Sequence, residues 1–235
     1  MMRKLLAFVL IFNLTACAEL QGVVDQLPQS GSVLSNADIA AGLRQALDLG
    51  IDKQVTKLTQ TDGFFKNELV KILLPEELQK VDKGLRDIGL GNLADEGLKV
   101  LNRAAEDAVK EATPIFVNAV KEITFNDAKN ILLGSDDAAT QYLTNRTQTE
   151  LYNKFKPVIN SSFNKVGADQ IWANLINKYN AIPFTNNVNP DLTDYVTGEA
   201  LKGVYTMIAV EEKEIRNKVS SRTTDLLRKV FALQD

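Results

Sequence analysis

The 235 residues carry 27 basic and 30 acidic side chains, no histidine and a single cysteine, Cys17. Without histidine the chain lacks the Ser-His-Asp and Cys-His arrangements, His-ligated zinc and the usual near-neutral general base. A mildly acidic chain with interspersed charges has no general attraction to nucleic acid or to anionic membrane surfaces.

Met1, Met2, Arg3 and Lys4 open the chain, an apolar run fills residues 5–12, and Leu14-Thr15-Ala16-Cys17 comes next. Basic residues, a short apolar stretch and small residues before a cleavage point are the layout of a secretory signal peptide. The run is far shorter than the ~20 residues that span a bilayer as a helix. Its last four residues look like a bacterial lipobox, in which the cysteine becomes the lipid-bearing first residue of the mature chain. The expectation is a lipoprotein signal peptide over residues 1–16, lipid attachment at Cys17 and a place in the bacterial cell envelope. Ala18, not aspartate, comes after Cys17, which by resemblance to sorting in many Gram-negative bacteria favours the outer membrane over the inner. With Cys17 acylated, the folded part has no thiol for a disulfide, a nucleophile or a sulfur-ligated metal. No cofactor is indicated.

Residues 18–35 contain Pro28, two glycines and several serines without sustained periodicity, and read as a tether. Helical signals dominate from there, so the expected fold is all-α, an irregular multi-helix bundle over residues 36–235. Ser35 or Asn36 is the expected N-cap, and Ile39, Leu43, Leu47, Ile51, Val55 and Leu58 recur at helical spacing. Residues 61–74 are apolar and open with Asp62-Gly63. They fit either an extended loop packed on the body or a short helix.

Pro75 with Glu76 and Glu77 after it marks a helix start, ended by the glycines of residues 88–92. A helix over residues 93–112 carries Gly97, Ala104, Ala105, Ala108 and Ala112 on one small-residue side, and Pro114 breaks or kinks the chain before residues 115–123. Thr124 and Asp127 form an aspartate variant of a capping box. That helix ends at Gly134, and Ser135-Asp136-Asp137 begins the next. Leu151, Phe155, Val158, Ile159 and Phe163 form an apolar stripe that Pro157 should kink. A short helix over residues 169–179 carries Trp172. Residues 180–190 are rich in turn formers and mark a mobile loop or an internal boundary. Leu201, Val204, Tyr205, Ile208 and Ile215 define a long helix. A terminal helix with Leu226, Leu227, Val230 and Phe231 comes after a Ser220-Ser221 cap.

Phrases spread over residues 41–50, 73–91, 101–108, 126–143 and 209–231 together resemble a bacterial family catalogued as domain of unknown function 4197. The resemblance spans residues 36–233. It implies exported or lipid-anchored helical proteins and supplies no activity and no catalytic residues.

Two side-chain groups stand out. Glu212 and Arg216 are four apart with the acid N-terminal, the favourable order for a helical ion pair. Glu211 lies beside the apolar stripe, and Arg222 could fold back to it from beyond Ser220-Ser221. With Arg103 and Glu106 from the alanine-rich helix, these residues would make either a polar pocket between helices or an ion-pair tie fixing helix register. Phe64 and Phe65, with the apolar residues after them, either cover the core or form an apolar lip. The leading functional expectation is a lipid-anchored binding or scaffolding module with protein partners. The alternatives are a periplasmic carrier of an apolar ligand such as a lipid, and a hydrolase using carboxylates alone.

Overall fold

The computed structural model describes residues 34–74, 91–168 and 191–235, with isolated positions between these stretches. Cys17, the tether, the Pro75 helix start, Trp172 and most of residues 180–190 lie outside the described residues. The chain is all-α: seven α-helices and two 3-10 turns, with no strand among the described residues.

Helix α1 (Asn36–Thr59) starts at Ser35, whose hydroxyl accepts the Asp38 N–H while the Asp38 carboxylate accepts the Ser35 N–H. This reciprocal capping box satisfies two of the donors that a helix start leaves unpaired. Residues 61–74 then form turns and an extended segment, the loop alternative, with Asp62 in the left-handed region at φ 67°. Helix α2 (Gly91–Val109) starts within the glycine-rich stretch and stops at Lys110-Glu111. Helix α3 (Ala112–Lys121) therefore holds Pro114 in its first turn, where a missing N–H removes no helical hydrogen bond. Helix α4 (Phe125–Leu132) opens on the Thr124–Asp127 capping box.

Helix α5 (Ala138–Asn164) runs on through Pro157 to Asn164, and α6 (Leu192–Asn217) begins at the Asp191 cap. Ser220 and Ser221 lie in a 3-10 turn. The expected cap there is corrected to Thr224, which accepts the Leu227 N–H at the start of α7 (Asp225–Phe231).

Residues 35–235 form one compact unit. Helix α6 packs on α1, α2 and α5, and α1 also packs on α3, α4 and α7. The core draws Leu43, Ile51 and Leu58 from α1, Phe116 from α3, and Leu143, Phe155 and Phe163 from α5, all buried. Each contributes about 1.5–3 kcal/mol by leaving water. Ala104, Ala105 and Ala108 of α2 are buried as well, which lets that helix approach its neighbours closely; Ala112, also buried, opens α3, and Gly97 is exposed and lies off that side.

Helices α1 and α6 run antiparallel. Gly50 faces Glu211, and just beyond the C-terminus of α1 the Phe64 ring lies over Gly203. A methyl group at Gly203 would stand 2.7 Å from the Phe64 ring.

Candidate functional site

Glu212 and Arg216 lie one turn apart on α6, both buried, with the guanidinium Nη2 2.8 Å from the carboxylate. The pair's other bonds show what it does. Asp137, at the start of α5, makes no side-chain cap. Glu212 supplies one from another helix, accepting the N–H groups of Ala139 and Thr140 and the Thr140 hydroxyl, each at 2.8 Å. Arg216 donates to the carbonyls of Ile131 (2.7 Å) and Leu132 (3.1 Å) at the C-terminus of α4. Negative charge thus meets the positive end of α5, and positive charge the negative end of α4. Two buried helix ends are satisfied by one ion pair.

Glu211, the preceding residue, turns to a different neighbour. Its carboxylate accepts Lys53 Nζ and Gln54 Nε2 from α1, both at 2.7 Å. Gly50 keeps the space open, since a Cβ there would lie 3.3 Å from Glu211 Cγ. The buried Gln54 Oε1 has no hydrogen-bond partner. Arg222 is 2% exposed. It donates to the carbonyls of Ile215 (3.1 Å) and Arg216 (2.8 Å) at the end of α6 and grips the Asp235 side chain through two bonds. That guanidinium holds the Asp235 carboxyl below the usual carboxylate range.

Arg103 and Glu106 belong to another group. Glu106 accepts the Phe64 N–H at 3.1 Å and Arg103 Nη1 at 2.8 Å. Arg103 Nη2 also reaches Asp62, which pairs with Lys66. This group sits beside Gly203, eight residues before Glu211 on α6, about 12 Å along the axis. The six residues of the expected cluster therefore divide. Arg103 and Glu106 pin the 61–74 loop, Glu211 ties α6 to the body of α1, and Glu212, Arg216 and Arg222 satisfy helix ends.

Asn102 was not singled out from the sequence, although a polar residue among Leu98, Leu101 and Ala105 is a signal. It is fully buried, its Oδ1 accepting the Ile72 N–H at 2.8 Å and its Nδ2 donating to the Ile72 and Leu98 carbonyls. Tyr195 Oη on α6 donates to the Leu73 carbonyl at 2.6 Å. Residues 72–73 are thereby held from both α2 and α6.

This framework decides what the loop shows to solvent. Phe64, for which the sequence allows either core cover or a lip, is fully buried because Gly203 leaves room for its ring. Phe65 is half-buried, with the Lys71 ammonium 4.7 Å from its ring centre. Val70 and Ile72 point inward, and Leu69 and Leu73 point out, 64% and 50% exposed. Between these leucines and Tyr195, Glu199, Lys202 and Thr206 of α6 lies a groove of about 240 Å³. The pocket between α1, α6 and α7 holds only about 20 Å³, room for about one water.

The family described as protein of unknown function, DUF4197, matches residues 33–232. The chain belongs to this family. No curated protein and no solved structure matches it. The family description supplies no reaction, so the chemistry rests on the residues themselves. Among the described residues no three carboxylates gather as a metal ion would require, and no helix is long and apolar enough to cross a membrane.

Proposed function

We propose that this protein is a lipid-anchored module of the bacterial envelope, acylated at Cys17, that binds a protein partner through the groove edged by Leu69 and Leu73. One observation carries the reading: exposed Leu73 stands on backbone held by Asn102 and Tyr195, and exposed Leu69 on a turn where its N–H donates to Asn67 Oδ1. Exposed apolar side chains on a rigid frame lose little ordering entropy on contact.

The groove suits a protein better than a lipid. Its volume of about 240 Å³ lies below the 300–1,000 Å³ of small-molecule sites and fits one or two side chains. Leucines beside a rim of Glu199, Lys202 and Thr206 also match the apolar-centre, polar-rim pattern of protein interfaces. A carrier of an apolar ligand would need a continuous cavity, and the pocket between α1, α6 and α7 offers about 20 Å³. A carboxylate hydrolase would need two free facing acids, and Glu106, Glu211 and Glu212 are each taken up by backbone donors or cations.

The lipid anchor and the groove are tested separately. Cys17→Ser should release the protein from the membrane fraction while leaving its thermal melting unchanged. Leu69→Ser with Leu73→Ser should keep it on the membrane and abolish the protein adduct that an amine-reactive crosslinker forms with the wild-type chain in intact cells. Membrane association that survives Cys17→Ser would contradict the anchor.

A further inference from the structure

A second concave surface lies between the C-terminal half of α5 and the start of α6. It is an open cleft of about 730 Å³, within the 300–1,000 Å³ range of ligand sites. Asn153, Lys156, Pro157 and Asn160 line it from α5 at spacings of three, one and three, which puts them on one helix face. Asn177 and Asp191 line it as well.

The charges here are occupied with one another. Lys156 Nζ lies 3.2 Å from both Asp191 and Asp194 and 3.1 Å from Tyr152 Oη, and the Tyr152 hydroxyl also donates to Asp194. Tyr152 foremost, with the two carboxylates, holds the ammonium well above its usual range. What remains on offer is neutral. The side-chain amides of Asn153 and Asn177 make no hydrogen bond among the described residues; Asn160 Oδ1 accepts Asn164 Nδ2 at 2.8 Å, while its Nδ2 reaches Thr193 Oγ1 only at 3.5 Å and stays available as a donor. Each amide brings two donors and an acceptor.

Pro157 is an independent sign. Inside a helix it removes the N–H that would pair with the carbonyl four residues back, here that of Asn153. The helix gives up a hydrogen bond at the cleft wall, and broken local rules of this kind concentrate at functional positions. The Pro157 ring and the Ala173 methyl add a shallow apolar surface, with no deep pocket for an acyl tail.

We infer that this cleft binds a neutral glycan. Its hydroxyl and acetamido groups exchange hydrogen bonds with Asn153, Asn160 and Asn177, and a sugar ring rests on Pro157. The full chain, purified in a detergent without a sugar headgroup, is titrated calorimetrically with a β-1,4-linked N-acetylglucosamine tetramer and, separately, with an anionic oligogalacturonate. The neutral tetramer should bind saturably. Asn153→Ala with Asn177→Ala should weaken it about tenfold, the loss of one or two hydrogen bonds, with the melting temperature unchanged. Pro157→Ala, which returns the Asn153 carbonyl to the helix, should melt several degrees higher and bind more weakly. No saturable binding in the millimolar range, wild-type affinity in both variants, or preference for the oligogalacturonate would overturn the inference. None of these outcomes depends on Leu69 or Leu73.

Discussion

At the scale of single residues, the buried polar side chains act on helix ends and loops. Glu212 carries the greatest consequence, because removing its carboxylate uncaps α5 and strands the Arg216 guanidinium at 6% exposure. Breaking such a pair from one side costs about 3–5 kcal/mol. Glu212→Ala should therefore lower stability by that much in urea unfolding. Adding Arg216→Met should recover part of the loss, because no unpaired charge is left buried. A double variant that loses the sum of both single losses would show that the two residues act independently.

Tyr205 gives a pH signature. It shares a 2.7 Å hydrogen bond with Thr147, and burial pushes its phenol above the usual tyrosine range. A folded-state value above the unfolded one contributes stability that is fully present below about pH 10 and is lost as pH rises through the folded value. Tyr205→Phe should flatten the alkaline limb of the stability profile at a cost near 1 kcal/mol at neutral pH, since Thr147 still donates to the Leu143 carbonyl. The acid limb has the opposite origin. Backbone and hydroxyl bonds from Thr124 hold Asp127 below its usual range. Its contribution is present above about pH 4 and is lost as pH falls through the depressed value.

At the scale of elements, local signals were legible in the sequence and distant ones were not. The Thr124–Asp127 box spans three residues and its residue types alone locate that helix start, and Ser35, capped reciprocally by Asp38, is one of the two N-cap candidates the sequence offers for α1. The cap of α5 comes from Glu212, 73 residues from Ala139, and nothing near Asp137 announces it. The 61–74 loop was ambiguous for the same reason. Its inward and outward sides are set by Asn102, 30 residues from Ile72, and by Gly203, so Phe64 could not be told from Leu69 by pattern alone.

Two glycines on α6 separate packing from propensity. Gly198 is exposed and an added Cβ meets nothing within 4 Å, so Gly198→Ala should stabilise by about 0.5–1 kcal/mol. At Gly203 the same methyl would stand 2.7 Å from the Phe64 ring and 3.3 Å from Val70, both buried. Overpacking of this kind costs about 1–3 kcal/mol. Gly203→Ala should therefore be net destabilising and should raise hydrogen exchange at the Phe64 and Ile72 amides.

At the scale of the whole molecule, helix ends and the loop are cross-braced around α6, and the bracing leaves an apolar edge at Leu69 and Leu73. The N-terminal lipid anchor proposed above would hold that edge near a membrane. Such an arrangement suits a partner met at the envelope.

The most direct measurement is site-specific photocrosslinking in intact cells, with the reactive group at position 69 or 73 and, as a control, at the equally exposed Leu133. The account predicts a discrete protein adduct from positions 69 and 73, lost in Cys17→Ser and absent from position 133. Equal labelling from all three positions, or adducts to lipid alone, would contradict it.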